Sequence, residues 1–74
     1  MKNLNNLFGD GSEYKRIVYI KQCPDPLRWY RNLVGRWWEV ESDEGIEYKC
    51  REPEGYINFI LKEDCDVYWI EKRG

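Results

Sequence analysis

Histidine is absent from this chain of 74 residues. That removes the commonest general base and the commonest metal ligand. Methionine occurs once and proline three times. The three cysteines, Cys23, Cys50 and Cys65, are an odd number with wide spacing and no C-x-x-C pair. A small secreted domain usually carries an even disulfide set, so these read as free thiols in a reducing compartment. Without histidine, three scattered cysteines make a poor zinc site, and no metal or other cofactor is expected. Long apolar runs are missing too. No uncharged stretch exceeds seven residues, as in Gly55 to Leu61, whereas a membrane-spanning helix needs about 20 mostly apolar residues. Met1-Lys2-Asn3 is followed by no apolar segment of the secretory type. The expectation is a cytoplasmic protein that does not enter membranes.

What is present is aromatic and charged. Four Trp and six Tyr contribute to an aromatic content of 16%, with 35% charged residues and a mean hydropathy of -0.85. A single small domain buries a modest share of its surface, so bulky rings must supply much of the core. The net charge of -2 hides an asymmetry. Residues 1 to 34 hold six basic side chains against three acids, giving +3, and the remainder holds six against eleven, giving -5. This is no uniformly basic nucleic-acid binder, although the balance leaves room for a local basic patch.

Five short runs read as strands. Arg16 to Lys21 is rich in β-branched and aromatic residues. Arg36 to Glu41 alternates, with Trp38 and Val40 on one face and Trp37, Glu39 and Glu41 on the other. The face with two glutamates is the wet one, which places Trp37 toward solvent. Ile46 to Arg51 predicts Ile46, Tyr48 and Cys50 inside. Tyr56 to Ile60 predicts Ile57 and Phe59 inside, and Asp66 to Ile70 closes the series. Lys62-Glu63-Asp64 suggests one 3₁₀ turn before the last strand. Cys23-Pro24-Asp25-Pro26 breaks regular structure, and Leu27 to Leu33 is read as a helical turn. Residues 1 to 14 read as a flexible arm, 15 to 71 as the domain and 72 to 74 as a tail. The expected fold is all-β, a small five-stranded SH3-like barrel.

Val34 to Val40, Gly55 to Ile60 and Leu61 to Val67 carry the SH3-like order. Cys23-Pro24-Asp25-Pro26 with Trp29-Tyr30, then Gly35, Gly55-Tyr56-Ile57 and Lys62-Glu63-Asp64-Cys65, resembles small uncharacterised SH3-like barrel proteins of phages and prophages in Gram-positive bacteria. The resemblance covers residues 16 to 69. It implies a phage-type accessory protein inside the bacterial host cell, without catalytic residues. Where peptide-binding SH3 domains carry an aromatic run near the first strand and an acidic loop, this chain has Arg16 to Ile20 and a basic loop.

That loop is the candidate site. Arg28, Trp29, Tyr30 and Arg31, with Arg36, Trp37 and Tyr56, interleave basic and aromatic side chains. Such residues line grooves for extended peptides, stack bases or nucleotides while arginines hold phosphates, or anchor protein interfaces. They also serve as a lid on the domain, with arginines stacked on the rings. Glu39, Glu41, Asp43, Glu44 and Glu47 form an acidic group, read either as a solvated face or as a patch that meets a basic partner. Asp64 and Asp66 flank Cys65 as turn residues, and no nucleophile motif is present. The expected activity is non-enzymatic: binding and inhibiting a host protein such as a defence or nucleic-acid enzyme, as a monomer or weak homo-oligomer. The alternatives are a small nucleic-acid or nucleotide binder and a phage structural subunit.

Overall fold

A computed structural model describes residues 13 to 72. They form β1 (Glu13–Ile20), β2 (Trp37–Glu39), β3 (Ser42–Asp43), β4 (Glu47–Arg51), β5 (Ile57–Leu61), a 3₁₀ turn (Lys62–Asp64) and β6 (Cys65–Lys72). Two antiparallel three-stranded sheets result, ordered β2-β1-β6 and β3-β4-β5. The all-β class is as expected, but six strands replace five and the sheets do not close into a barrel.

The extra strand arises at Val40-Glu41. The Val40 amide donates to Arg16 O at 3.0 Å, in the first sheet, and the next amide, Glu41, donates to Lys49 O at 2.7 Å, in the second. Successive residues of an extended chain point their amides in opposite directions. One continuous run is therefore shared between two sheets and divides into β2 and β3. Between the sheets lie Val18, Ile20, Tyr30, Val40, Tyr48, Cys50, Ile60 and Cys65, with Trp29, Leu33 and Trp38 packed against them.

Several sequence expectations shift. Ile57 and Phe59 were expected inside, but Tyr48 stands opposite Ile60 and Cys50 opposite Asn58. Opposed residues share a face, so Ile60 enters the core and Ile57 is left exposed. Ile46, expected inside, precedes β4 and is 76% exposed. Its carbonyl instead accepts the Lys62 amide at 3.0 Å. No helical turn forms over Leu27 to Leu33. The loop is a series of turns, with Arg28 N donating to Asp25 O, Arg31 N to Arg28 O and Leu33 N to Tyr30 O at 2.9 to 3.2 Å. The Asp25 carboxylate captures the Leu27 amide at 2.9 Å, a side-chain turn that competes with a helical ladder. Gly35, at φ 89°, then returns the chain to β1 through its amide and Ile20 O at 2.7 Å. The 3₁₀ turn is found where expected. The arm expected over residues 1 to 14 lies outside the described residues as far as residue 12, and Glu13 and Tyr14 already belong to β1. Of the tail expected over 72 to 74, Lys72 ends β6 and the last two residues are outside the described range.

Candidate interaction surface

Of the loop that looked most like a binding site, the two aromatic side chains turn inward while most of its other residues are exposed. Tyr30 is fully buried. Its phenol donates to Asp64 Oδ2 at 2.5 Å and accepts the Leu61 amide at 3.4 Å. The second Asp64 oxygen accepts from Gln22 Nε2 at 2.9 Å, and the Asp64 carbonyl accepts the Lys21 amide at 2.9 Å. Burial, reinforced by the bond to Asp64, pushes the Tyr30 phenol well above its ordinary pKa. Next to it, the Trp29 indole donates to Phe59 O at 2.7 Å.

These bonds have a common purpose. Because Glu41 N takes Lys49 O, the backbone of Lys49 faces β3, and that of Tyr48 and Cys50 faces β5. Phe59 and Leu61 then direct their amides and carbonyls away from β4, toward an open edge. Trp29 and Tyr30 fill that edge, the Asn58 side chain accepts the Phe59 amide at 2.8 Å, and Cys65 Sγ approaches Leu61 O at 3.5 Å. A capped edge does not recruit another strand.

The arginines of the loop stay near the surface. Arg28 lies 4.0 Å from Asp25, Arg31 Nη1 donates to Arg28 O at 3.3 Å, and Arg36 is exposed. Trp38 faces inward from β2. Its ring meets Trp29 edge-on at 5.7 Å, and its indole donates to Arg51 O at 2.7 Å.

Trp37 takes the opposite face and is 50% exposed, as its shared face with Glu39 predicts. It packs on Tyr19 at 5.3 Å and on Tyr68 at 5.1 Å. The register explains this row. Tyr19 stands opposite Trp37, and Ile17 stands opposite both Glu39 and Tyr68. One indole thus spans the sheet from β2 across β1 to β6, and Ile70 extends the same face. The predicted set is therefore divided: Trp29 and Tyr30 build the core margin, while Trp37 belongs to an outer aromatic row. Tyr56 sits apart, exposed in the turn closed by the Glu52 amide and Tyr56 O. Tyr19 and Tyr68 were missed as site residues, although the alternation of β1 and β6 puts them on the polar side.

The acidic group is divided as well. Asp43 is held by Lys62 at 2.8 Å, and Lys62 with the Gly45 amide keeps its carboxyl below the usual range. Glu44 accepts from Ser42 Oγ, and Glu47 is half-buried in β4. Glu39 and Glu41 instead join Trp37, Trp38 and Arg51 around an open cleft of about 380 Å³. Arg51 is occupied there by Glu41 and by Gly55 O at 2.8 Å. Glu39 shares a 3.8 Å ion pair with Lys15, a separation worth little at a surface.

Burial raises the Cys50 thiol to about 12 and the Cys65 thiol to about 11, so both are protonated at neutral pH and poorly nucleophilic. Among the described residues, no group of three or more Cys, Asp or Glu is placed to hold a metal ion, and no helix is long and apolar enough to cross a membrane. Comparison with protein-family models, with curated proteins and with solved structures returned no match.

Proposed function

We propose that this chain is a non-catalytic binding module whose contact face is the outer surface of the β2-β1-β6 sheet, centred on Trp37. The observation that carries the reading is the indole of Trp37, half exposed and fixed between Tyr19 and Tyr68. A rigid aromatic row loses little side-chain freedom on binding, and Trp and Tyr are the residue types that dominate interface energies. The adjoining cleft adds Glu39, whose loose pairing with Lys15 suits a partner offering a Lys or Arg beside an apolar side chain. On the resemblance to phage and prophage proteins, that partner is a protein of the bacterial host, which the module inhibits. The basic loop contributes less to this reading, because Tyr30 and Trp29 are committed to the fold.

The test is capture from host lysate by wild type, Trp37→Ala and Glu39→Lys, each with and without nuclease. Retention of a host protein by wild type alone, unaffected by nuclease, supports the reading. Equal retention by all three variants overturns it. Retention that vanishes with nuclease, with a steep salt dependence, transfers the function to nucleic-acid binding.

A further inference from the structure

The two sheets end in unlike edges. On β5 the outward backbone groups are met by Trp29, Tyr30 and Asn58. On β6 the bonding pattern can be followed from β1. Ile20 bonds to Arg36 and Gly35, and Arg16 O accepts Val40 N, so the even residues of β1 face β2. The odd residues, Lys15, Ile17 and Tyr19, face β6, where they stand opposite Ile70, Tyr68 and Asp66. The backbones of Val67 and Trp69 therefore point away from β1. Among the described residues, no backbone or side-chain group meets their amides or carbonyls. The amide of Cys65, at the start of the strand, already donates to Lys62 O. The open stretch is flanked by apolar side chains: Val67 is 39% exposed and Trp69 57%, with Tyr68 and Ile70 on the other face. An edge of this kind is a template for another strand.

We propose that a second copy of this chain occupies that edge, through antiparallel β6–β6 pairing about a two-fold axis at Tyr68. This register is self-complementary. Val67 of each copy stands opposite Trp69 of the other. The two opposed pairs exchange four hydrogen bonds, which use every unmet amide and carbonyl of Val67 and Trp69 in both copies. The adjacent outward positions, Cys65 and Glu71, stand opposite one another. On the outer face the two Tyr68 rings become a close, non-hydrogen-bonded pair. The row Trp37–Tyr68 then continues into its symmetry mate across a six-stranded sheet. On the inner face Val67 covers the flank of Trp69, whose ring already carries the Arg16 guanidinium at 4.6 Å. Because the flanking side chains are already about half-buried, the pairing covers on the order of 500 Å² over both copies, below the range of specific stable interfaces. The dimer is accordingly weak and forms with rising concentration.

Sedimentation equilibrium from micromolar to millimolar protein reads this directly. Wild type should pass from monomer to dimer. Val67→Pro removes an amide that β1 does not use, and Trp69→Lys places a charge on the edge. Both should stay monomeric, whereas Trp37→Ala should still dimerise. A wild type that is monomeric throughout overturns the proposal, as does a dimer that survives in folded Val67→Pro and Trp69→Lys. Amide exchange of wild type guards against variants that fail to fold. Protection at Val67 and Trp69 should grow several-fold with concentration while Tyr68, already bonded to Ile17, stays constant. No change at Val67 and Trp69 as a dimer forms would place the interface elsewhere and overturn the proposal.

Discussion

The phenol of Tyr30 donates a 2.5 Å hydrogen bond to Asp64, and this pair joins the 21–36 loop to the turn between β5 and β6. Both residues are essentially removed from solvent. A buried carboxylate is costly unless its oxygens are satisfied, and Tyr30 and Gln22 each serve one of them.

Tyr30→Phe keeps the ring and deletes the bond. It leaves Asp64 Oδ2 and the Leu61 amide without that partner, for a loss of about 1–3 kcal/mol. The urea midpoint should fall with the slope unchanged. A Tyr30→Phe protein as stable as wild type would mean that water or a rearranged side chain takes over the site.

Alkaline pH should destabilise the fold. Burial raises Cys50 from 9.0 to about 12 and Cys65 from 9.0 to about 11, and Tyr30 also moves upward from 10.0. In each case the folded state holds its proton where the unfolded chain releases it. By linkage, the contribution of these groups is level below pH about 9 and stability falls as pH rises toward about 12. Urea melts under reducing conditions at stepped pH check the sign, and Tyr30→Phe should lessen the decline above pH about 10.

Trp29 and Trp37 should separate stability from binding. Trp29→Phe removes the indole bond to Phe59 O and bares the β5 edge, for a cost of about 1 kcal/mol. Trp37→Ala removes a half-exposed ring whose contacts are Tyr19 and Tyr68. Its cost should stay near 1 kcal/mol, since aromatic pairs at exposed positions contribute about that much, while partner capture is lost. Paired denaturation and capture measurements distinguish the two residues.

Arg16 offers a stabilising change. Its Nε and Nη1 are buried without a hydrogen-bond partner, although the guanidinium stacks on Trp69. Arg16→Met retains length and apolar contact and removes donors that have nothing to donate to. Stability should hold or rise by about 1 kcal/mol, read as an upward shift of the thermal midpoint. A clear loss would show that the cation–π contact outweighs the unmet donors.

The sequence disclosed some of this through alternation alone. Glu39 beside Trp37 was enough to set the outer face of β2, and Tyr48 and Cys50 in β4 were clear between Glu47, Lys49 and Arg51. β5 was not, because Tyr56 to Leu61 carries apolar residues on both faces, and only pairing with β4 decides which enters the core. The role of the loop aromatics was equally hidden. Trp29 meets Phe59 and Tyr30 meets Asp64 across more than twenty-five intervening residues, and local pattern carries no sign of partners so distant. The switch between sheets at Val40-Glu41 lacked a marker too, since neither glycine nor proline stands there.

That switch ties the fate of each sheet to the other. With Val40 anchored to β1 and Glu41 to β4 by adjacent peptide groups, neither sheet can peel away without dragging the shared segment and prising apart the side chains packed between them. Partial melting is thereby suppressed, and the molecule should respond to heat or denaturant as one unit. Circular dichroism of the strands and fluorescence of the four tryptophans would then trace superimposable curves.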